Sequence, residues 1–263
     1  MFGIETRYLS FFFGLVSILS FFNIIYSYYL NLYLNLDTYY LSFFCSLVIS
    51  ILFYNLKFEQ KRLTIFNKIL TVFVGYIFIP LVLSIPFYFS IYNLTLLNSF
   101  FEAISGFTST GFTIFDNIKH IDQSLILWRS STQWIGGLYF LFSIIFLIDI
   151  YDENFKKTLT NFISFDSSEI FKQAIKIFLL YSVLTLIIFI ILNIFSIRTF
   201  DSLNLSFSLI SSGGFLPVND LSIILKENSQ VIITSLLMLT SFFSIFFSYN
   251  LVFFKKRNIN FFY

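Results

Sequence analysis

Two short stretches, Thr108–Phe112 (T-S-T-G-F) and Ser211–Phe215 (S-S-G-G-F), place hydroxyl residues and glycine directly after apolar runs. That composition suits the holding of a dehydrated cation. Backbone carbonyls replace a hydration shell when successive residues aim them at one axis. Glycine makes such a path accessible because it accepts torsions that a Cβ forbids. The candidate ligands are the backbone carbonyls of Thr108, Ser109, Thr110, Gly111 and Phe112, and of Ser211, Ser212, Gly213, Gly214 and Phe215. The segments before them, about Asn98–Phe107 and Leu203–Ile210, read as short pore helices whose C-terminal dipoles face the cation. The competing view is a pair of ordinary Ser/Gly-rich outer loops.

The two stretches belong to an internal repeat. A shift of 103 residues lays Asn98 on Asp201, Ser105 on Ser208, Ser109 on Ser212, Gly111 on Gly214 and Phe112 on Phe215. Each copy lies between two apolar spans, so the repeating unit is span, short amphipathic segment, glycine-containing turn, span. Six of the nine glycines (Gly106, Gly111, Gly136, Gly137, Gly213, Gly214) fall in or just after the loops. This clustering marks unusual torsions or close packing.

Composition sets the surroundings of these loops. Hydrophobic residues make up 57% of the 263 residues and charged residues 11%. So few charges do not cover a water-facing surface, and the bilayer is the expected solvent. Uncharged gaps at Tyr8–Leu36, Thr38–Leu56, Ile69–Phe101, Ser130–Ile148, Ile177–Ile197 and Asn228–Phe254 give six expected spans. The uncharged gap Ser202–Asn219 carries too many serines and glycines to face lipid and reads as a re-entrant loop. The fold class expected is all-α membrane protein with two re-entrant loops. Its divisions are an extra helix pair in 1–62, a first unit in 63–155 and a second in 156–263.

With the N-terminus inside, Arg7, Lys57, Lys61, Arg62, Lys68, Lys156, Lys157, Lys172, Lys176, Lys255, Lys256 and Arg257 are cytoplasmic, whereas Lys119, Arg129, Arg198 and Lys226 are outside. Twelve against four places both termini in the cytoplasm and both loops on the outer face. No secretory signal stands out in the first apolar run. Cys45 and His120 each stand alone, which excludes an intrachain disulfide and argues against a metal cluster or a catalytic His pair.

The sequence resembles the Trk/Ktr family of potassium transporters. Phe101–Gly111, FEAISGFTSTG, is similar to that family's first pore loop. Trp128–Gly137, WRSSTQWIGG, looks like the start of the helix that follows, and Phe207–Phe215, FSLISSGGF, resembles the second pore loop. The opening span pair matches the TrkH branch. The resemblance covers nearly the whole chain and corresponds to the N-terminal half of a family member, two pore units where the family has four. It implies filter glycines at Gly111 and Gly214, with ion-facing carbonyls at Thr108, Ser109, Thr110, Ser211, Ser212 and Gly213. Where the family has G-G-x-G, this chain has Gly136, Gly137, Leu138 and Tyr139.

Three residues are candidates for filter support. Glu102 either attracts cations at the mouth, or is a polar residue at the outer interface or a hydrogen-bond partner for loop amides. Arg129 either buttresses the loops or anchors at the interface beside Trp128, and Gln133 lies one turn along the same helix face. Asp116, Asp122, Asp201 and Asp220 add negative potential outside, or are solvated loop acids. Pro80 and Pro86 are expected to kink the third span.

The function expected is potassium transport as part of a pore subunit in the cell (inner) membrane, not an enzyme, with potassium as transported ion and no cofactor. The expected partners are the lipid bilayer and two further pore units from a second copy or a separate chain. The resemblance adds a cytoplasmic nucleotide-binding regulator, and no nucleic-acid partner is expected. The alternatives are a truncated, non-conducting relative and a membrane enzyme.

Overall fold

The structure, a computed structural model, describes residues 5–56, 65–147 and 167–240. Its regular elements are α1 (Thr6–Tyr29), α2 (Leu36–Asn55), α3 (Ile65–Leu83), α4 (Ile85–Tyr88), α5 (Leu96–Phe107), α6 (Gln123–Leu147), α7 (Ser167–Ile194), α8 (Thr199–Ile210) and α9 (Asn228–Thr240). Two 3-10 turns lie at Ile118–His120 and Leu221–Ile223. No strand occurs among the described residues.

Four elements are long and apolar enough to cross a membrane: Thr6–Tyr29, Leu36–Asn55, Ile65–Tyr88 and Ile175–Ile194. Their outward faces are greasy. Phe44, Val48 and Leu52 on α2, and Leu179, Val183, Leu186 and Ile190 on α7, are exposed. Such continuous apolar surface suits hydrocarbon rather than water, and the protein is a membrane protein. Of the two other expected spans, α6 has 25 residues, about 38 Å at 1.5 Å per residue, but interrupts its apolar character with Arg129–Gln133. The far part of the expected sixth span lies outside the described residues, as do the expected boundaries at 62/63 and 155/156.

α6 is the central helix. Every residue from Ser124 to Tyr139 on it is buried, and α1, α3, α5, α7 and α8 pack around it. Its polar residues therefore meet protein, which makes them tolerable at this depth. Tyr139, standing where the resembled family has glycine, fills the space against α3. Its hydroxyl donates to the Val72 carbonyl at 2.9 Å, and its ring packs edge-on against Phe12 and Tyr76. Gly75 on α3 accommodates this ring, since a Cβ there would stand 2.6 Å from Tyr139 Cζ.

α1 and α2 pair through serines. Ser10 Oγ donates to the Ser50 carbonyl and Ser50 Oγ to the Ser10 carbonyl, both at 2.8 Å, and Ser20 Oγ donates to Ser42 Oγ at 3.1 Å. In a chain with two alanines, serine supplies the small residue that lets membrane helices approach.

Of the two prolines expected to kink the third span, Pro80 lies inside α3 and Pro86 lies just after a break in the span Ile65–Tyr88. The chain breaks at Ser84, and Pro86 sits in the first turn of the separate α4, where its missing N–H leaves no helical bond unmade.

The 103-residue offset recurs in the backbone. α5 and α8 start at 96 and 199 and end at 107 and 210. The 3-10 turns start at 118 and 221, capped by Asn117 and Asp220 side chains that accept from the amide two residues on. Positive φ occurs at Asn93 and Ser196, before the short helices, and at 56° at both Ser109 and Ser212, after them.

Candidate functional site

Each short helix ends in the same hydrogen-bonded turn. Ser109 N bonds to Gly106 O (2.9 Å) and Thr110 N to Ser105 O (3.0 Å); Ser212 N bonds to Leu209 O (3.2 Å) and Gly213 N to Ser208 O (2.8 Å). This is the Schellman pattern, with serine rather than the usual glycine in the left-handed position. A non-glycine residue there costs on the order of 1 kcal/mol, and both copies bear that cost at the same point. The helices are about three turns long and stop abruptly, so their last carbonyls lie at the loops.

The loops meet at their glycines. Gly111 has φ of 80°, and a Cβ on it would stand 2.6 Å from Gly214 Cα and 2.8 Å from Gly214 N. A Cβ on Gly214 would be 3.4 Å from Gly111 Cα and 3.7 Å from Thr110 O. Gly111 is therefore demanded twice, by torsion and by approach, whereas a Cβ on Gly214 would meet only ordinary van der Waals contact.

Thr108, Ser109, Ser211 and Ser212 line a cavity of about 470 Å³ that also touches Gly136 and Gly137 of α6. Thr110 is exposed, its hydroxyl 2.8 Å from that of Thr108. Gly213 faces the Gln133 amide, whose Oε1 accepts from Phe215 N at 3.2 Å. The two loop phenylalanines differ: Phe112 is 69% exposed and Phe215 1%.

One ion pair ties the region together. Arg129 Nε donates to Glu102 Oε1 at 2.8 Å, with both side chains essentially solvent-free. Glu102 also accepts from Thr113 Oγ1 at 3.0 Å and Ile114 N at 3.0 Å. Arg129 Nη2 donates to Thr113 Oγ1 at 3.1 Å, Nη1 donates to Leu216 O at 3.3 Å, and its guanidinium lies 4.3 Å from the Phe215 ring centre. Arg129 thus contacts the chain just after both loops. Five donors in a fixed planar fork suit that double duty. The second unit has no such pair of its own: 103 residues on, Glu102 becomes Leu205, Arg129 becomes Ile232 and Gln133 becomes Leu236. Its short helix is instead held by Ser130 of α6, whose hydroxyl donates to Asn204 Oδ1 at 2.6 Å.

The structure therefore brings Glu102, Arg129 and Gln133 together with both loops. Arg129 is not an interfacial anchor, since Trp128 beside it is buried and donates to Leu83 O at 3.0 Å. Glu102 is buried behind the loop rather than exposed at a mouth. Asp122 accepts from Ser124 Oγ at 2.5 Å, and Asp220 caps its 3-10 turn, where the Ser222 amide and hydroxyl hold its carboxyl below the ordinary range.

Sequence reasoning passed over Thr113 and a clasp between the post-loop segments. Asn219 Oδ1 accepts from Ile118 N at 2.7 Å, and Asn219 Nδ2 donates to Asn117 Oδ1 at 3.2 Å. Extending the 103-residue register beyond Phe112 pairs the capping residues Asn117 and Asp220 and locates that region.

No protein-family profile matches the chain. It is 25% identical over 165 residues to an uncharacterized cation transporter of Methanocaldococcus jannaschii, covering 59% of this chain and 33% of that protein. It is 28% identical over 139 residues to the potassium uptake protein TrkH of Salmonella typhimurium, covering 50% and 29%. A 60-residue stretch is 42% identical to TrkI of Halomonas elongata, 23% of this chain and 11% of that one. In structure the chain is similar to TrkH of Vibrio parahaemolyticus, with a TM-score of 0.71 and 18% identity over 89% of this chain and 48% of that one. The matched stretches span about half the length of these relatives or less.

Proposed function

We propose that this chain, which is TrkH-like in sequence and fold, forms part of a potassium pathway whose narrowest point lies between the loops at 108–112 and 211–215. One observation carries this reading. Two helix ends with the same Schellman turn, 103 residues apart, bring Gly111 and Gly214 into contact above a shared cavity lined by Thr108, Ser109, Ser211 and Ser212. Ion-facing carbonyls are assigned to Thr108, Ser109, Thr110, Ser211, Ser212 and Gly213, and Glu102, Arg129 and Gln133 hold the loops from behind.

In this reading α5 and α8 are re-entrant pore helices entering from the outer face of the inner membrane, with six spans and both termini cytoplasmic. Residues 63–155 and 156–263 are the two pore units, and 1–62 is an added helix pair. Two loops border an ion on two sides only, and carbonyls left facing lipid cost several kcal/mol each. The conducting form therefore contains two further units. A cytoplasmic nucleotide-binding subunit is the regulator that the family likeness suggests.

The experiment is rescue of a potassium-uptake-deficient cell at low potassium by this chain together with the missing units. Growth that depends on this chain supports the reading. A properly inserted complex that takes up no potassium overturns it.

A further inference from the structure

The geometry points to a second ligand for the cavity beneath the loops: a large, weakly hydrated organic cation of the tetraalkylammonium class. The cavity measures about 470 Å³, inside the range of about 300–1,000 Å³ usual for small-molecule sites. Its wall includes four aromatic residues, Tyr76, Phe107, Phe140 and Tyr181, and, among the described residues, neither a carboxylate nor a basic side chain. Aromatic faces attract a permanent cation through the ring quadrupole, most strongly once both are desolvated. The C-terminal ends of α5 and α8 reach the same space through Phe107, Thr108, Ile210 and Ser211, and each carries partial negative charge.

The wall is firm. Tyr181 Oη donates to Trp134 O at 3.0 Å, and the Tyr76 and Phe107 rings meet edge-to-face at 5.6 Å. Phe140 is the accessible face, 50% exposed. A small, strongly hydrated cation keeps its water and gains little from such a wall. An alkyl-clad cation sheds almost none, covers apolar surface and places its charge against rings and helix ends together. The binding itself does not depend on transport. That an occupant stops ion flow does rest on the function proposed above.

The test is calorimetric titration of the purified chain in nanodiscs with tetraethylammonium and tetrabutylammonium chloride. One saturable site is expected, weakened about 2- to 30-fold by Phe140→Leu, the range that corresponds to one cation–π contact, and retained or tightened by Phe140→Trp, the stronger cation–π partner. Absence of saturable binding, or equal affinity in the wild type and Phe140→Leu, overturns the inference. If the leucine variant fails to fold, weaker binding by Phe140→Trp overturns it instead. Growth rescue without such binding removes this inference alone, and binding without rescue removes the proposed function alone.

Discussion

Arg129 reaches both loops of the molecule while pairing with Glu102 at 2.8 Å, and neither side chain touches solvent. The first unit's helix thus braces the second unit's loop, and the two copies of the repeat are not self-sufficient. A buried charge left alone is costly, so single removals hurt more than the pair is worth. Glu102→Leu or Arg129→Met should each destabilise by about 3–5 kcal/mol, the usual cost of breaking a buried pair. The double variant Glu102→Leu/Arg129→Met should lose less than the sum. Thermal unfolding in detergent, read as a double-mutant cycle, is the check, and simple additivity contradicts the pairing.

The glycine contact is lopsided, and so should be its mutants. Gly111→Ala places a methyl 2.6 Å from Gly214 Cα in a torsion that L-residues avoid, whereas Gly214→Ala meets ordinary contact at 3.4 Å. Gly111→Ala should lower the preference for potassium over sodium, and Gly214→Ala should retain most of it. Equal effects in an uptake assay of the assembled protein refute the asymmetry.

Gln133 holds the second loop by accepting from Phe215 N at 3.2 Å. Gln133→Leu leaves that amide buried without a partner, at a cost of about 1–3 kcal/mol. Amide hydrogen exchange should rise locally at 213–216, and an unchanged rate there removes the brace.

Gly75 and Tyr139 are complementary across α3 and α6. Gly75→Ala should destabilise the wild type, because its Cβ meets the Tyr139 ring, and should be far better tolerated in a Tyr139→Leu background. The same penalty in both backgrounds denies the fit.

Much of this was legible in the sequence because the repeat carries its own register. The loops, the short helices and Gly111 with Gly214 follow from one shift, although α5 and α8 begin at Leu96 and Thr199, earlier than the Asn98 and Leu203 expected. At α5 the Thr95 side chain caps the earlier start by accepting from Asn98 N, whereas the N-cap of α8, Arg198, makes no such bond. The burial of Arg129 was harder to foresee, since a charge beside Trp reads as an interfacial anchor until α6 proves central. The split between Phe112 and Phe215 was invisible, because identical residues in identical register find different neighbours: only Phe215 has Arg129 over its ring. The cavity wall draws on residues distant in sequence, Tyr76, Phe140 and Tyr181, which periodicity does not connect.

Membrane sidedness is open to direct labelling. In a Cys45→Ser background, single cysteines at Lys119 and Lys226 should react with an impermeant maleimide from outside, and cysteines at Lys61 and Lys157 should react only after lysis. External reaction at Lys157 contradicts the arrangement proposed here.

The central claim is that ions pass between the loops that meet at Gly111 and Gly214. Its most direct test is the ratio of potassium to sodium uptake by the assembled protein carrying Gly111→Ser. A side chain at that point disturbs the alignment of carbonyls that replace the hydration shell. The account predicts uptake that persists with a clearly lower preference for potassium. Uptake at the wild-type rate with the wild-type ratio would contradict it.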